Sequence, residues 1–101
     1  MTSWYYNPPA PWELVADVDA STGCYEFDMV TVFKNPITGA IIAGQDSGCS
    51  CYSPYGGWSE ADFVQVRTLD DLDGPLSELS EYRPLSSTDR LDFLNKVRAV
   101  L

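Results

Sequence analysis

Three cysteines carry most of the chemistry this chain could do. Cys49 and Cys51 stand two apart in Asp46-Ser47-Gly48-Cys49-Ser50-Cys51, and Cys24 lies far upstream. Side chains alternate along an extended backbone, so both of the paired sulfurs fall on one side. Cys24, Cys49, Cys51 and Asp46 together would supply four donors for zinc. Zinc sites rely mainly on thiolate and imidazole, however, and the chain has no histidine. The odd cysteine count forbids a fully paired disulfide framework and suits a reducing compartment. A Cys24–Cys51 cross-strand bridge is the alternative pairing. Small free thiols are favoured over both bridge and metal.

Cysteine nucleophiles normally need a base, most often histidine, to generate thiolate. Glu26, Asp28 and Asp46 lie near the same segment, but chance carboxylate pairs are common in an acidic protein. Neither a glycine-rich phosphate loop nor a nucleophile elbow nor a dinucleotide fingerprint occurs. The sequence therefore reads as a non-enzyme with no cofactor.

The second candidate is electrostatic. Fifteen acidic and six basic residues give a net charge of −9. Direct nucleic-acid binding is disfavoured, because it needs clustered Lys and Arg to replace phosphate counterions. Between residues 60 and 81, Glu60, Asp62, Asp70, Asp71, Asp73, Glu78 and Glu81 face only Arg67. Such carboxylates could meet a basic partner or imitate the phosphates of DNA. Solubility explains the same excess with no partner at all.

The third candidate is aromatic. Trp4-Tyr5-Tyr6-Asn7-Pro8-Pro9-Ala10-Pro11-Trp12 reads as an extended arm, and Tyr52-Ser53-Pro54-Tyr55-Gly56-Gly57-Trp58 as a turn-rich loop. Aromatics this dense usually cover a domain's own core. Exposed instead, they would anchor a partner.

The elements that must position these groups form one domain of 101 residues. Glu13 to Asp19 alternates apolar and acidic residues and predicts a half-buried strand, with Leu14, Ala16 and Val18 inward. Cys24 to Lys34 predicts a second strand and Ala40 to Ser47 a third. Asn35-Pro36-Ile37-Thr38-Gly39 supplies the turn between them. A four-residue loop there makes paired residue numbers sum to 75, so Phe33 faces Ile42, Thr31 faces Gly44 and Phe27 covers Gly48. The same register sets Cys24 opposite Cys51. Phe63 to Arg67 predicts a short fourth strand, and Thr68 to Leu72 a capped helical turn halted by Asp73-Gly74-Pro75, with another brief turn of helix expected between Pro75 and Tyr82. Ser86 or Ser87 caps a last helix to Leu101, with a stripe of Leu91, Leu94, Val97 and Leu101 joined by Phe93 and Val100.

The Asp46 to Cys51 element, the following Ser53-Pro54, Leu69-Asp70-Asp71-Leu72, Tyr25-Glu26-Phe27-Asp28 and Pro36-Ile37-Thr38-Gly39 resemble a family of small uncharacterised actinobacteriophage proteins. The likeness runs over roughly residues 13 to 72. Tyr52 stands where that family usually has proline. The resemblance implies a phage accessory protein acting in the cytoplasm of a bacterial host.

The expectation is an α+β fold: a three- to four-stranded antiparallel sheet with a C-terminal helix packed on one face. Residues 1–12 form the arm and 13–101 the domain. The expected function is non-enzymatic binding of a host or phage protein, with no direct nucleic acid and no membrane. Trp4, Tyr5, Trp12, Tyr52, Tyr55, Trp58, Asp70, Asp71 and Asp73 are the contacts. An acidic DNA mimic and a small cysteine-based metal module are the alternatives.

Overall fold

Hydrophobic alternation and one tight turn account for most of the sheet. The computed structural model describes residues 3–21, 26–49, 51–79 and 85–101. Strand β1 (Glu13–Asp19), β2 (Glu26–Lys34), β3 (Ile41–Cys49) and β4 (Val64–Gln65) follow in chain order. They form an antiparallel meander, each strand beside its predecessor. The Asn35 side chain closes the β2–β3 turn, accepting from the Ile37 and Thr38 backbone N–H groups at 3.0 and 3.3 Å. Gly39 takes φ +79°, the left-handed position a Cβ disfavours.

From that turn the expected register runs the length of the hairpin. Phe33 faces Ile42, Thr31 faces Gly44, and Glu26 faces Cys49. The Phe27 ring lies 3.2 Å from where a Cβ on Gly48 would be, so the ring does cover that glycine. Cys24 and Tyr25, the expected start of β2, lie outside the described residues.

One local expectation fails in β1. A bulge falls between Leu14 and Ala16, which exchanges faces at that point. Ala16 and Val18 are buried, whereas Leu14 is 39% exposed.

Both faces of the sheet are covered. On one, Ala16, Val18, Val30, Val32 and Ala43 pack against Phe93 and Val97 of helix α2 (Ser87–Arg98). Ser86 caps that helix, its hydroxyl accepting from the Asp89 N–H at 3.1 Å. The buried line is Phe93–Val97, and Leu91 is 57% exposed, contrary to the expected stripe. Turning the helix this way buries the larger aromatic surface of Phe93 at the expense of one leucine.

The same core receives Leu72 and Leu76, and Pro75 is buried between them at a junction that the sequence reads as a stop. A 3-10 turn, Leu69–Leu72, runs straight into helix α1 (Asp73–Ser77). Pro75 sits in the first turn of α1, where a missing N–H costs nothing because it has no partner within the helix. Asp73-Gly74-Pro75 thus continues the helical path instead of ending it.

The opposite face carries a second core that spacing did not reveal. Trp4, Trp12, Met29, Phe33, Ile42, Tyr55 and Phe63 are buried there, with Tyr5, Phe27 and Trp58 packed around them. Trp4 and Trp12 of the expected arm belong to this layer and Tyr5 packs against it, whereas Tyr6 points outward. Ser3 forms a bridge with Gly56, and its hydroxyl donates to the Pro54 carbonyl at 2.5 Å.

Candidate functional site

The loop from Tyr52 to Phe63 joins the cysteine corner, the aromatic layer and the acidic stretch, and Tyr55 fixes its path. Tyr55 takes φ +59°, unusual for a residue with a Cβ. Asp46 holds it there: its carboxylate accepts from the Tyr55 N–H at 2.8 Å and from the Ser47 N–H at 2.9 Å. The buried Tyr55 hydroxyl lies 2.8 Å from the Gly44 carbonyl, 3.0 Å from the Thr31 hydroxyl and 3.3 Å from the Met29 carbonyl. Burial pushes its pKa well above the ordinary tyrosine range, so the phenol stays protonated.

Tyr55→Phe leaves those acceptors facing a ring carbon, an expected loss of about 1–3 kcal/mol near neutral pH. The sign at high pH follows from the raised value. Folding favours the protonated phenol, so that stability is complete below pH 10.0, the ordinary value, and falls as pH rises beyond it. Urea titrations across that range should show wild type losing stability more steeply than Tyr55→Phe. Parallel pH profiles for the two proteins would contradict this assignment.

Of the expected aromatic contacts, three are interior. Trp4, Trp12 and Tyr55 are buried, so they do not stand as exposed anchors. The reason is geometric: their rings fill the sheet face that the C-terminal helix leaves uncovered. The indole N–H of Trp4 donates to the Trp58 carbonyl at 2.8 Å, and that of Trp12 to the Glu60 carboxylate at 2.8 Å. Tyr5 is half-buried and donates to Asp17, a bond that raises its pKa to about 12. Trp58 is half-buried, leaving Tyr52, 69% exposed, as the outward aromatic of the set.

The cysteine corner also departs from expectation. Cys49 and Cys51 are bonded to each other, with Cα atoms 5.4 Å apart. Cys51 lies beyond the end of β3 in a turn where the Tyr52 N–H donates to the Cys49 carbonyl at 3.0 Å. That turn shortens the span and brings two sulfurs already on one side within bonding reach. Neither sulfur is a free thiol, and Cys51 is not available to bridge to Cys24, which itself lies outside the described residues. A thiolate metal site on Cys49 and Cys51 is correspondingly not formed, and Asp46 is committed to the loop. Among the described residues no group of three or more Cys, Asp or Glu is placed to hold a metal ion.

The acidic segment is anchored through its apolar residues. Leu72, Pro75 and Leu76 are buried while Asp70, Asp71 and Asp73 are exposed between and beside them. Asp71 differs from its neighbours, since it accepts from the Arg67 N–H at 2.7 Å and the Thr68 N–H at 3.1 Å. Those donors hold its carboxyl below the usual carboxylate range. Asp71 therefore caps the 3-10 turn, which leaves Asp70 and Asp73 as the outward charges. Glu81 lies outside the described residues.

Residues 3–99 match the model of a family described as a domain of unknown function (DUF7574). The chain belongs to this family. The DUF7574 match takes in the aromatic segment and all of α2, and so extends beyond residues 13 to 72. No curated protein and no solved structure matches the chain. Among its described residues no helix is long and apolar enough to cross a membrane.

Sequence reasoning missed the part played by Asp46 and Gly44 in seating the aromatic loop. A signal for Gly44 was present, since the register put a glycine mid-strand beside a layer of bulky rings.

Proposed function

We propose that this DUF7574 domain is a non-enzymatic phage accessory protein that binds a host or phage protein in the bacterial cytoplasm. The observation that supports this reading is the display of exposed Asp70 and Asp73 on a segment anchored by buried Leu72, Pro75 and Leu76. A backbone already seated on the core has less freedom to lose on binding, which favours recognition of a basic surface. Exposed Tyr52 adds one aromatic contact on the outer surface.

Asp70→Lys with Asp73→Lys is expected to abolish capture of the partner from host lysate while leaving the thermal midpoint within a few degrees of wild type. Asp71 is kept, because replacing it would remove a cap. Undiminished capture by the double variant would count against an acidic docking face.

A DNA-mimic inhibitor of a nucleic-acid-binding host protein is the second reading, favoured by the same carboxylates together with exposed Glu60 and Asp62. It requires that DNA compete with the domain for its partner. Absence of competition leaves the general protein-binding reading in place and removes mimicry.

A further inference from the structure

The basic residues of this acidic chain are not spread evenly. Two shallow grooves flank the end of α2 and share Val100. One is walled by Leu14, Val15 and Ala99 and edged by Glu13, Lys34 and Lys96. The other is walled by Ile41, Val66 and Leu101 and edged by Arg67. The two grooves therefore carry three of the chain's six basic residues and one of its fifteen carboxylates. A protein of charge −9 is locally cationic there. Leu14 and Leu101 are 39% and 48% exposed, so apolar surface lies open beside those charges.

The neighbouring groups limit what fits. Glu13 lies directly across the ladder from Lys34. Lys96 also borders a separate acidic cleft lined by Asp17, Asp19, Asp89 and Asp92. The terminal carbonyls of α2 add a small negative field that Lys96 and Arg98 oppose. Arg67 acts electrostatically on Asp71, which does not line either groove. Each cation thus has an acidic neighbour, and the groove linings keep a small positive excess of Lys34, Lys96 and Arg67 over Glu13. A cationic ligand would be better served by the neighbouring cleft of Asp17, Asp19, Asp89 and Asp92.

We propose that this end of the domain binds a short partner segment bearing apolar side chains flanked by Asp or Glu. Its apolar groups would lie against Leu14, Val100 and Leu101, and its carboxylates would meet Lys34, Lys96 and Arg67. The partner is thus opposite in charge to the one expected at Asp70 and Asp73, which makes the domain an adaptor with two faces of unlike sign.

Selection of a random peptide display library against the full chain tests this directly. Enriched peptides should combine Leu, Ile, Val or Phe with Asp or Glu. They should bind Lys34→Glu and Arg67→Glu at least about tenfold more weakly than wild type, while Asp70→Lys leaves them unaffected. All three sites are exposed or half-exposed, and a matching far-ultraviolet spectrum and thermal midpoint confirm that each variant is folded. Basic enriched peptides, no enrichment, or binding insensitive to Lys34→Glu would overturn the proposal. So would light scattering showing a dimer that Val100→Asp dissociates, because the grooves would then be occupied by a second copy of the chain.

Discussion

Trp4→Ala is expected to cost about 3–5 kcal/mol of folding stability, the range for emptying a buried large aromatic site. A domain of this size has roughly 5–15 kcal/mol in all, so the loss is a large fraction of the total and should lower the thermal midpoint by roughly 12 °C or more. The size of the effect follows from what the ring touches. Trp4 is 5% exposed, and its ring centroid lies 4.8 Å from Phe63, 5.4 Å from Phe33 and 5.9 Å from Trp12. Alanine would open a void bordered by three rings that cannot all close over it, and the Trp58 carbonyl would lose its donor. Tyr6, two residues along and 72% exposed, provides the control, with Tyr6→Ala expected to shift stability by less than about 0.5 kcal/mol. Urea denaturation followed by fluorescence separates the two. If Trp4 served a partner and not the core, Trp4→Ala would unfold at the wild-type midpoint and lose only binding.

That contrast shows how far the sequence could be read. The hairpin was legible because Asn35 to Gly39 is a turn of known length, and length fixes which residue opposes which. The cap at Ser86 was legible because a hydroxyl just before an apolar repeat has one obvious use. Trp4 and Trp12 were harder, since proline-rich aromatic segments have no period to say which side is inward. Spacing tells which residues share a face, but what covers that face is decided elsewhere in the chain. The β1 bulge illustrates the same limit at smaller scale, because one extra residue at Val15 moves Leu14 outward without leaving any mark in the alternation. At the cysteine corner the side shared by Cys49 and Cys51 was legible. Their bond was not, since it depends on the turn that shortens the distance between their Cα atoms.

Gly44→Val is expected to destabilise the domain by on the order of 3 kcal/mol or more, at the upper end for overpacking a well-filled core. A Cβ at Gly44 would stand 2.8 Å from a Phe63 ring carbon and 2.8 Å from a Trp58 ring carbon, closer than carbon atoms tolerate. Phe63 has no direction in which to retreat, with ring centroids of Trp58 at 4.9 Å, Phe33 at 5.6 Å and Tyr55 at 5.6 Å. Movement of the strand instead would pull the Gly44 carbonyl from the Tyr55 hydroxyl and disturb the loop that Asp46 seats. Valine has good strand propensity, so any local preference acts in the opposite direction and makes the test stringent. Gly74 offers the comparison: it lies in α1, where beyond its chain neighbours and the helix backbone an added Cβ meets no atom within 4 Å. Gly74→Ala is expected to change stability by less than about 1 kcal/mol, because reduced freedom of the unfolded chain is offset by crowding of the new Cβ against the Pro75 ring. Thermal and urea midpoints should therefore fall far below wild type for Gly44→Val and stay close to it for Gly74→Ala. A Gly44→Val protein with the wild-type midpoint would mean that the aromatic layer does not rest on β3 as the structure places it.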